Sequence, residues 1–259
     1  MDNTVKEPLI HLSKREDMSF GKKWLVRIIA ILLSLIVCAG FIFIIIKMNP
    51  VEVYEGIVEG AVGTGRRFWV TARDALTLLC VAVAVTPAFK MKFWNIGAEG
   101  QILMGCVASA AMMIYAGNAL PTGLLLVLMF VCSFIAGGIW GIIPAFFKAR
   151  WNTNETLFTL MLNYVAMQVV TFCIVYWENP AGSNSVGIIN APTRAGWLPQ
   201  LFGLDYGWNL AIVLLLTVLM FIYMKRTKHG YEIAVVGESE NTARYAGINV
   251  GKVIVRTVG

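Results

Sequence analysis

Charge is scarce in this sequence. Asp, Glu, Lys and Arg make up 14% of its 259 residues, against about a quarter in an ordinary soluble domain. So few charges cannot cover the surface of a water-soluble globule of this size, which excludes the usual soluble enzyme or binding domain. Histidine is scarcer still. The chain has 2, His11 and His229, both in polar segments, so an intramembrane Ser–His hydrolase and a histidine-rich metal site are excluded. There is no internal repeat and no low-complexity tract. The stretch from Gly247 to Val253 imitates a phosphate loop, but it is one residue short and carries Val253 where Ser or Thr is required. No nucleotide site, and no bound cofactor, is expected in this chain. The 5 cysteines all fall in apolar runs, where thiols behave as small hydrophobes rather than as disulfides or metal ligands.

What is abundant is apolar. Hydrophobic residues are 58% of the chain and the mean hydropathy is +0.71. They form runs at 24–46, 75–89, 102–115, 124–147, 157–176 and 208–224, and about 20 helical residues cross a hydrocarbon core of about 30 Å. The first run follows a largely polar stretch of 23 residues and is not followed by a small-x-small cleavage site, so it reads as a retained helix rather than a signal peptide. With a cytoplasmic N-terminal tail (1–23) and alternating crossings, 16 of the 21 Lys and Arg fall inside and 5 outside, as the positive-inside rule requires. The net charge of +6 therefore points to a membrane and not to nucleic acid. Arg66, Arg67 and Arg73 sit against this pattern in the segment 47–74, which is expected either to lie along the headgroups as a helix or to displace the first crossing. Residues 177–207, with Pro180, Pro192 and Pro199, are expected to form an extracytoplasmic loop with structure of its own. The last residues, from Val253 onward, read as the start of a further apolar element, so a longer chain is expected.

Three polar stretches carry the chemistry. The first, Phe93-Trp94-Asn95-Ile96-Gly97-Ala98-Glu99-Gly100-Gln101, lies between the two runs that look too short for complete crossings. In lipid every backbone polar group needs a partner, so irregular chain at depth survives only against protein or water. A glycine-rich break between half-length helices reads as a discontinuous helix lining a cavity, with Asn95, Glu99 and Gln101 facing it. A cytoplasmic turn with a solvated Glu99 fits the same residues, and the residues alone do not separate the two.

The second stretch, 148–156, leads into the fifth run. Thr153 or Asn154 can cap that helix, and Glu155 suits its positive end. At about 100° per residue Thr156, Thr159 and Asn163 share one face. Such an uncharged stripe either packs on a neighbouring helix or lines a path; Thr159 is read as packing and Asn163 as contacting solute. The third stretch is the loop 225–252. Ser239 suits an N-cap, Glu238 and Glu240 the positive end of a helix, and Gly247 a left-handed terminal position. A helix of about two turns outside the membrane follows, serving as a connector or, with Arg244 and Tyr245 exposed, as a knob for a soluble partner.

In their order and spacing, the segment from Asn95 to Gln101, Asn154-Glu155 with the run Thr159 to Tyr164, and the segment Gly237 to Ile248 resemble an ABC-transporter permease. The group is the branched-chain amino acid/ribose-type family, in its nucleoside and simple-sugar branch, over residues 20–259. The resemblance implies an all-α, polytopic transmembrane helical bundle (24–259) with a discontinuous helix near 93–101 and a cytoplasmic coupling loop. It implies a translocation path carried by Asn95, Glu99, Gln101, Asn154, Glu155, Thr159 and Asn163. It also implies a coupling helix, with Glu238, Asn241, Arg244, Tyr245, Ala246 and Gly247, seated on an ABC ATPase that uses ATP and Mg. A second permease subunit in a heterodimer and an extracytoplasmic solute-binding lipoprotein complete the expected assembly, in membrane lipid. Uncharged Asn95, Gln101 and Asn163 suit a neutral hydroxylated solute such as a nucleoside. The alternatives are a ribose- or galactose-type sugar, or a secondary transporter that needs no ATPase.

Overall fold

A computed structural model describes residues 19–201 and 206–259; His11 and most of the expected tail 1–23 lie outside them. The described elements are helical, and the chain divides into two units, 1–68 and 69–259.

In the first unit, α1 (Phe20–Phe41) continues into a π-helical stretch (Ile42–Ile46), and the two form a single apolar element of 27 residues. The first crossing therefore stays where hydropathy puts it. Lys47, in the left-handed region at φ 56°, ends it. The next helix, α2 (Pro50–Val62), starts because Asn49 Oδ1 accepts the Val51 amide at 3.1 Å while Pro50 occupies the first position, where a missing N–H costs nothing. The Tyr54 hydroxyl donates to the Leu35 carbonyl at 2.6 Å and ties α2 to α1. Arg67 donates to the Glu59 carbonyl at 3.1 Å and pairs with its carboxylate at 3.5 Å. The segment 47–74 is thus mostly helix, not loop.

The crossings that lie mostly or wholly in the second unit are α3 (Gly65–Lys90), α4 (Ala98–Ala116), α5 (Thr122–Trp151), α6 (Glu155–Tyr176) and α7 (Gly207–Arg226). With α1 they make 6 described helices long and apolar enough to cross a membrane. The helices flanking the break are not half-length, as the hydropathy runs suggested. They have 26 and 19 residues, because Arg66, Arg67, Arg73 and Asp74 belong to the first turns of α3, and Glu99 and Gln101 to the first turn of α4. Long charged side chains at a helix end carry their heads outward along an apolar stem, so counting apolar residues alone shortens the element.

Helices α4 and α5 form an antiparallel pair. A Cβ on Gly105 would lie 3.4 Å from the Ser133 carbonyl, and one on Gly137 would lie 3.3 Å from the Gln101 carbonyl. Glycine there lets the backbones approach, the usual route to helix association in lipid. Ser133 adds a hydroxyl bond to the Gly105 carbonyl at 2.9 Å. The described part of the loop after α6 (177–201) is tied down by hydrogen bonds: Asn190 donates to the carbonyls of Met113 (2.8 Å) and Ala195 (3.1 Å), and Trp197 to that of Ile189 (3.1 Å). It covers Leu125, which is fully buried beneath Gly196.

The apolar core lies at the basic end of this unit. There α8 (Lys228–Glu238), α9 (Glu240–Tyr245) and α10 (Val250–Val258) pack on the ends of α3 and α5 through Met91, Phe93, Ala145, Ile233, Val236 and Ile254. The spanning helices instead leave most large side chains exposed, Phe130, Phe134 and Phe172 among them, as lipid rather than protein covers them.

Candidate translocation and coupling site

The break occupies residues 91–97, between the end of α3 and the start of α4. Lys92 turns the chain in the left-handed region at φ 60°, and Phe93 and Met91 plug into the core at 2% and 4% exposure. The first four amides of any helix lack intrahelical partners, and Gly97, at the cap of α4, has no side chain to offer. The partners come from elsewhere. Asn95 Oδ1 accepts the Gly97 amide at 2.9 Å, and Thr159 Oγ1 accepts the Ile96 amide at 3.2 Å. Asn163 works at both ends of its amide: Oδ1 accepts the Gly100 amide at 2.9 Å, while Nδ2 donates to the Ile96 carbonyl at 3.0 Å. Asn163 thus caps α4 from α6.

This arrangement explains the glycines. A Cβ at Gly97 would lie 3.0 Å from Thr159 Cβ, and one at Gly100 would lie 2.9 Å from Asn163 Oδ1 and 3.0 Å from Trp140 Nε1. Asn95, Thr159 and Asn163 are buried. Glu99 is exposed on the first turn of α4, and Gln101 is half-buried between α4 and the glycines of α5. The polar residues of the break therefore divide: Asn95, with Thr159 and Asn163 of α6, holds backbone, whereas Glu99 is left free of that network.

The elbow between α5 and α6 is built on Asn152, left-handed at φ 52°, and on Asn154, whose Oδ1 accepts the Leu157 amide at 3.2 Å. Across it Lys148 Nζ and Glu155 Oε2 meet at 3.0 Å with side chains 19% and 14% exposed.

The third segment folds as its caps predict. Ser239 Oγ accepts the Thr242 amide at 3.3 Å, and Gly247 takes φ 76°. α9 buries Ala243 and exposes Glu240, Asn241, Arg244 and Tyr245, with Ala246 and Gly247 exposed beyond its end and Glu238 exposed before it. Tyr245 stands out at 93% exposure.

All three sequence stretches meet at one crevice of about 250 Å³, lined by Lys92 and Phe93 of the break, Lys148 and Glu155 of the elbow, and Gly237, Glu238, Ser239 and Glu240 of the α8–α9 junction. Lys92 Nζ donates to the Glu238 carbonyl at 3.5 Å. Closest of all is Gly237, where a Cβ would overlap the Lys90 carbonyl and lie 3.2 Å from Met91 Cα.

Residues 69–259 match the family of branched-chain amino acid transport system permease components. The chain belongs to that family. It is 29% identical to the guanosine ABC transporter permease protein NupP of Bacillus subtilis, over 90% of this chain and 67% of that one. It is 29% identical to the nucleoside ABC transporter permease protein NupB of Lactococcus lactis subsp. cremoris, over 90% and 66% respectively. It is 28% identical to the glucose ABC transporter permease protein TsgB13 of Haloferax volcanii, over 84% and 59%. The chain thus spans about two thirds of the length of the first two relatives. No solved structure matches it.

This permease is a multi-pass membrane protein, and the residues that hold its site together include some the motifs did not mark. Gly237 was visible only as the edge of a motif; its contact with Lys90 spans most of the chain. His229 lies in a polar segment but is 4% exposed, with Nδ1 3.2 Å from Glu232 Oε2 and Nε2 3.1 Å from Thr257 Oγ1. Lys148 gives a first test. Removing one partner of a partly buried ion pair leaves the other poorly solvated, so Glu155→Gln is expected to cost about 1–2 kcal/mol, or roughly 2–8 °C in Tm. The double exchange Lys148→Glu/Glu155→Lys should recover most of the loss in a thermal-shift measurement on the purified permease. An unchanged Tm in Glu155→Gln would show that the pair contributes nothing.

Proposed function

We propose that this permease is the membrane-spanning subunit of an ATP-driven importer that moves a nucleoside across the cytoplasmic membrane. The observation that carries the proposal is the convergence of the break, the elbow and the α8–α9 junction on one crevice, with α9 exposed beside it. A push on α9 is passed through Gly237 and Lys92 to the break, and through Lys148 and Glu155 to α6.

The basic end faces the cytoplasm, since the opposite orientation would place 16 of 21 cations outside. The N-terminus is then cytoplasmic. An ABC ATPase seats α9 through Asn241, Arg244, Tyr245 and the turn at Gly247; ATP and Mg belong to that partner, and this chain catalyses nothing itself. A second permease subunit closes the path, and an extracytoplasmic solute-binding lipoprotein delivers solute. The relatives named for guanosine and for nucleosides favour a nucleoside. Because the partner protein supplies affinity, the permease binds solute weakly and releases it quickly. The relative named for glucose supports a simple sugar as the second reading.

Uptake competition in cells carrying the intact system decides between them. Unlabelled uridine or guanosine should suppress labelled uridine uptake at concentrations where glucose and ribose do not. Competition by the sugars alone would replace the nucleoside with a sugar, and uptake that persists without any ATPase would replace the importer with a secondary transporter.

A further inference from the structure

An open groove of about 950 Å³ lies on the opposite side of α10 from the crevice, lined by the last turns of α5, the first turn of α8, the turn after α9 and α10 itself. Four cations reach it from three helices: Arg150, Lys228, Lys252 and Arg256. All four are exposed. The single carboxylate on its lining, Glu232, is already engaged, 3.2 Å from His229 and 4.0 Å from Lys228. The field in the groove is therefore positive. Its walls are not: Phe146, Ala149, Val253 and Val255 are apolar.

Depth is fixed by neighbouring aromatics. Phe146 and Trp151, half or more exposed, pack edge to face at 5.8 Å, and Arg150 lies over the Trp151 ring at 5.9 Å. Aromatic rings with adjacent cations at the end of a spanning helix mark the headgroup level of a bilayer. Basic pockets between helices at that level suit anionic lipid headgroups.

We propose that this groove binds one anionic phospholipid of the leaflet at the basic end. Its phosphate is held by Arg150, Lys252 and Arg256, and the upper part of an acyl chain lies against Phe146 and Val255. A soluble acidic protein would meet the same cations, but it would have no use for an apolar wall at the headgroup level.

The test uses the permease purified in detergent and native mass spectrometry, with phosphatidylglycerol and phosphatidylcholine of identical acyl chains added in turn. The wild type should retain one phosphatidylglycerol in preference to phosphatidylcholine. Lys252→Gln/Arg256→Gln should weaken that retention roughly 10–30-fold. Lys225→Gln/Arg226→Gln, which removes two exposed cations at the end of α7 outside the groove, should change it less than about twofold. Equal retention of the two lipids, or equal losses in the two variants, would overturn the site. So would glycerol phosphate displacing the lipid at equal concentration, since the apolar wall would then contribute nothing. Unchanged lipid retention in the groove variant with loss of ATPase co-purification would reassign the groove to a protein partner.

Discussion

Gly237→Val is expected to abolish uptake and to lower the Tm of the purified permease by several degrees. The reason is the partner that a side chain would meet. A Cβ at 237 overlaps the carbonyl oxygen of Lys90, a backbone atom at the end of α3, with Met91 Cα 3.2 Å away. A side chain in that position could rotate aside, but a helix end cannot. Relief requires α8 to move off the break, carrying Ser239 and α9 with it, or α3 to withdraw Met91 and Phe93 from the core. Overpacking of this kind costs about 1–3 kcal/mol or more. Because the first added carbon makes the clash, Gly237→Ala should already show most of the effect. Gly60→Ala is the control. Gly60 lies inside α2 with nothing within 4 Å of its added Cβ, so alanine there should be neutral or stabilising by about 0.5–1 kcal/mol. Radiolabelled uptake and thermal unfolding of the three variants give the answer. A Gly237→Val permease with wild-type Tm and uptake would remove the link between α8 and the break. Lost uptake at wild-type Tm would place the effect in coupling rather than in folding.

The helical architecture was legible because lipid simplifies the reading. A spanning segment must be helical and apolar over its length, so hydropathy alone placed the crossings, and Ser239, Asn154 and Gly247 announced their roles through capping chemistry that acts within three residues. The lengths of α3 and α4 were not legible, since Arg66, Asp74 and Glu99 lower the hydropathy without ending a helix. Nor was the division of the segment 47–74 legible, where Asn49 and Pro50 start α2 and Arg66, Arg67 and Arg73 belong to α3. The site was half legible. The motifs marked the right stretches, but sequence could not show that Asn163 and Gly100 meet, because that bond joins positions 63 residues apart. Nor could it show that Gly237 lies on Lys90. Contacts that join distant segments leave no periodic trace, and a glycine that is required for close approach looks the same as one in open space.

Asn163 is where the two readings of the polar stripe part. As a residue contacting solute, it should be dispensable for folding and decisive for uptake. As a cap supplied by α6, it should be decisive for both. In Asn163→Leu a side chain of similar size leaves the Gly100 amide and the Ile96 carbonyl without their partners. The Gly100 amide belongs to the first turn of α4, where no intrahelical acceptor exists. Each unsatisfied buried group costs about 1–3 kcal/mol, so a total of about 2–6 kcal/mol is expected. For a chain of this size that lowers Tm by roughly 4–24 °C and reduces the amount of folded permease recovered from membranes. Asn163→Asp should not rescue it: a carboxylate can accept from Gly100, but it turns an oxygen toward the Ile96 carbonyl in place of a donor. Thr159→Val is the measure of scale. It removes the bond to the Ile96 amide, which keeps a 3.1 Å contact with the Trp94 carbonyl, and the hydroxyl's own 3.2 Å bond to the Thr156 carbonyl, and it should cost about 1 kcal/mol. Thermal unfolding separates the possibilities. If Asn163→Leu unfolds at the wild-type temperature while uptake is lost, the cap is dispensable and the amide faces solute; if both fall together, and further than in Thr159→Val, α6 holds the break in shape.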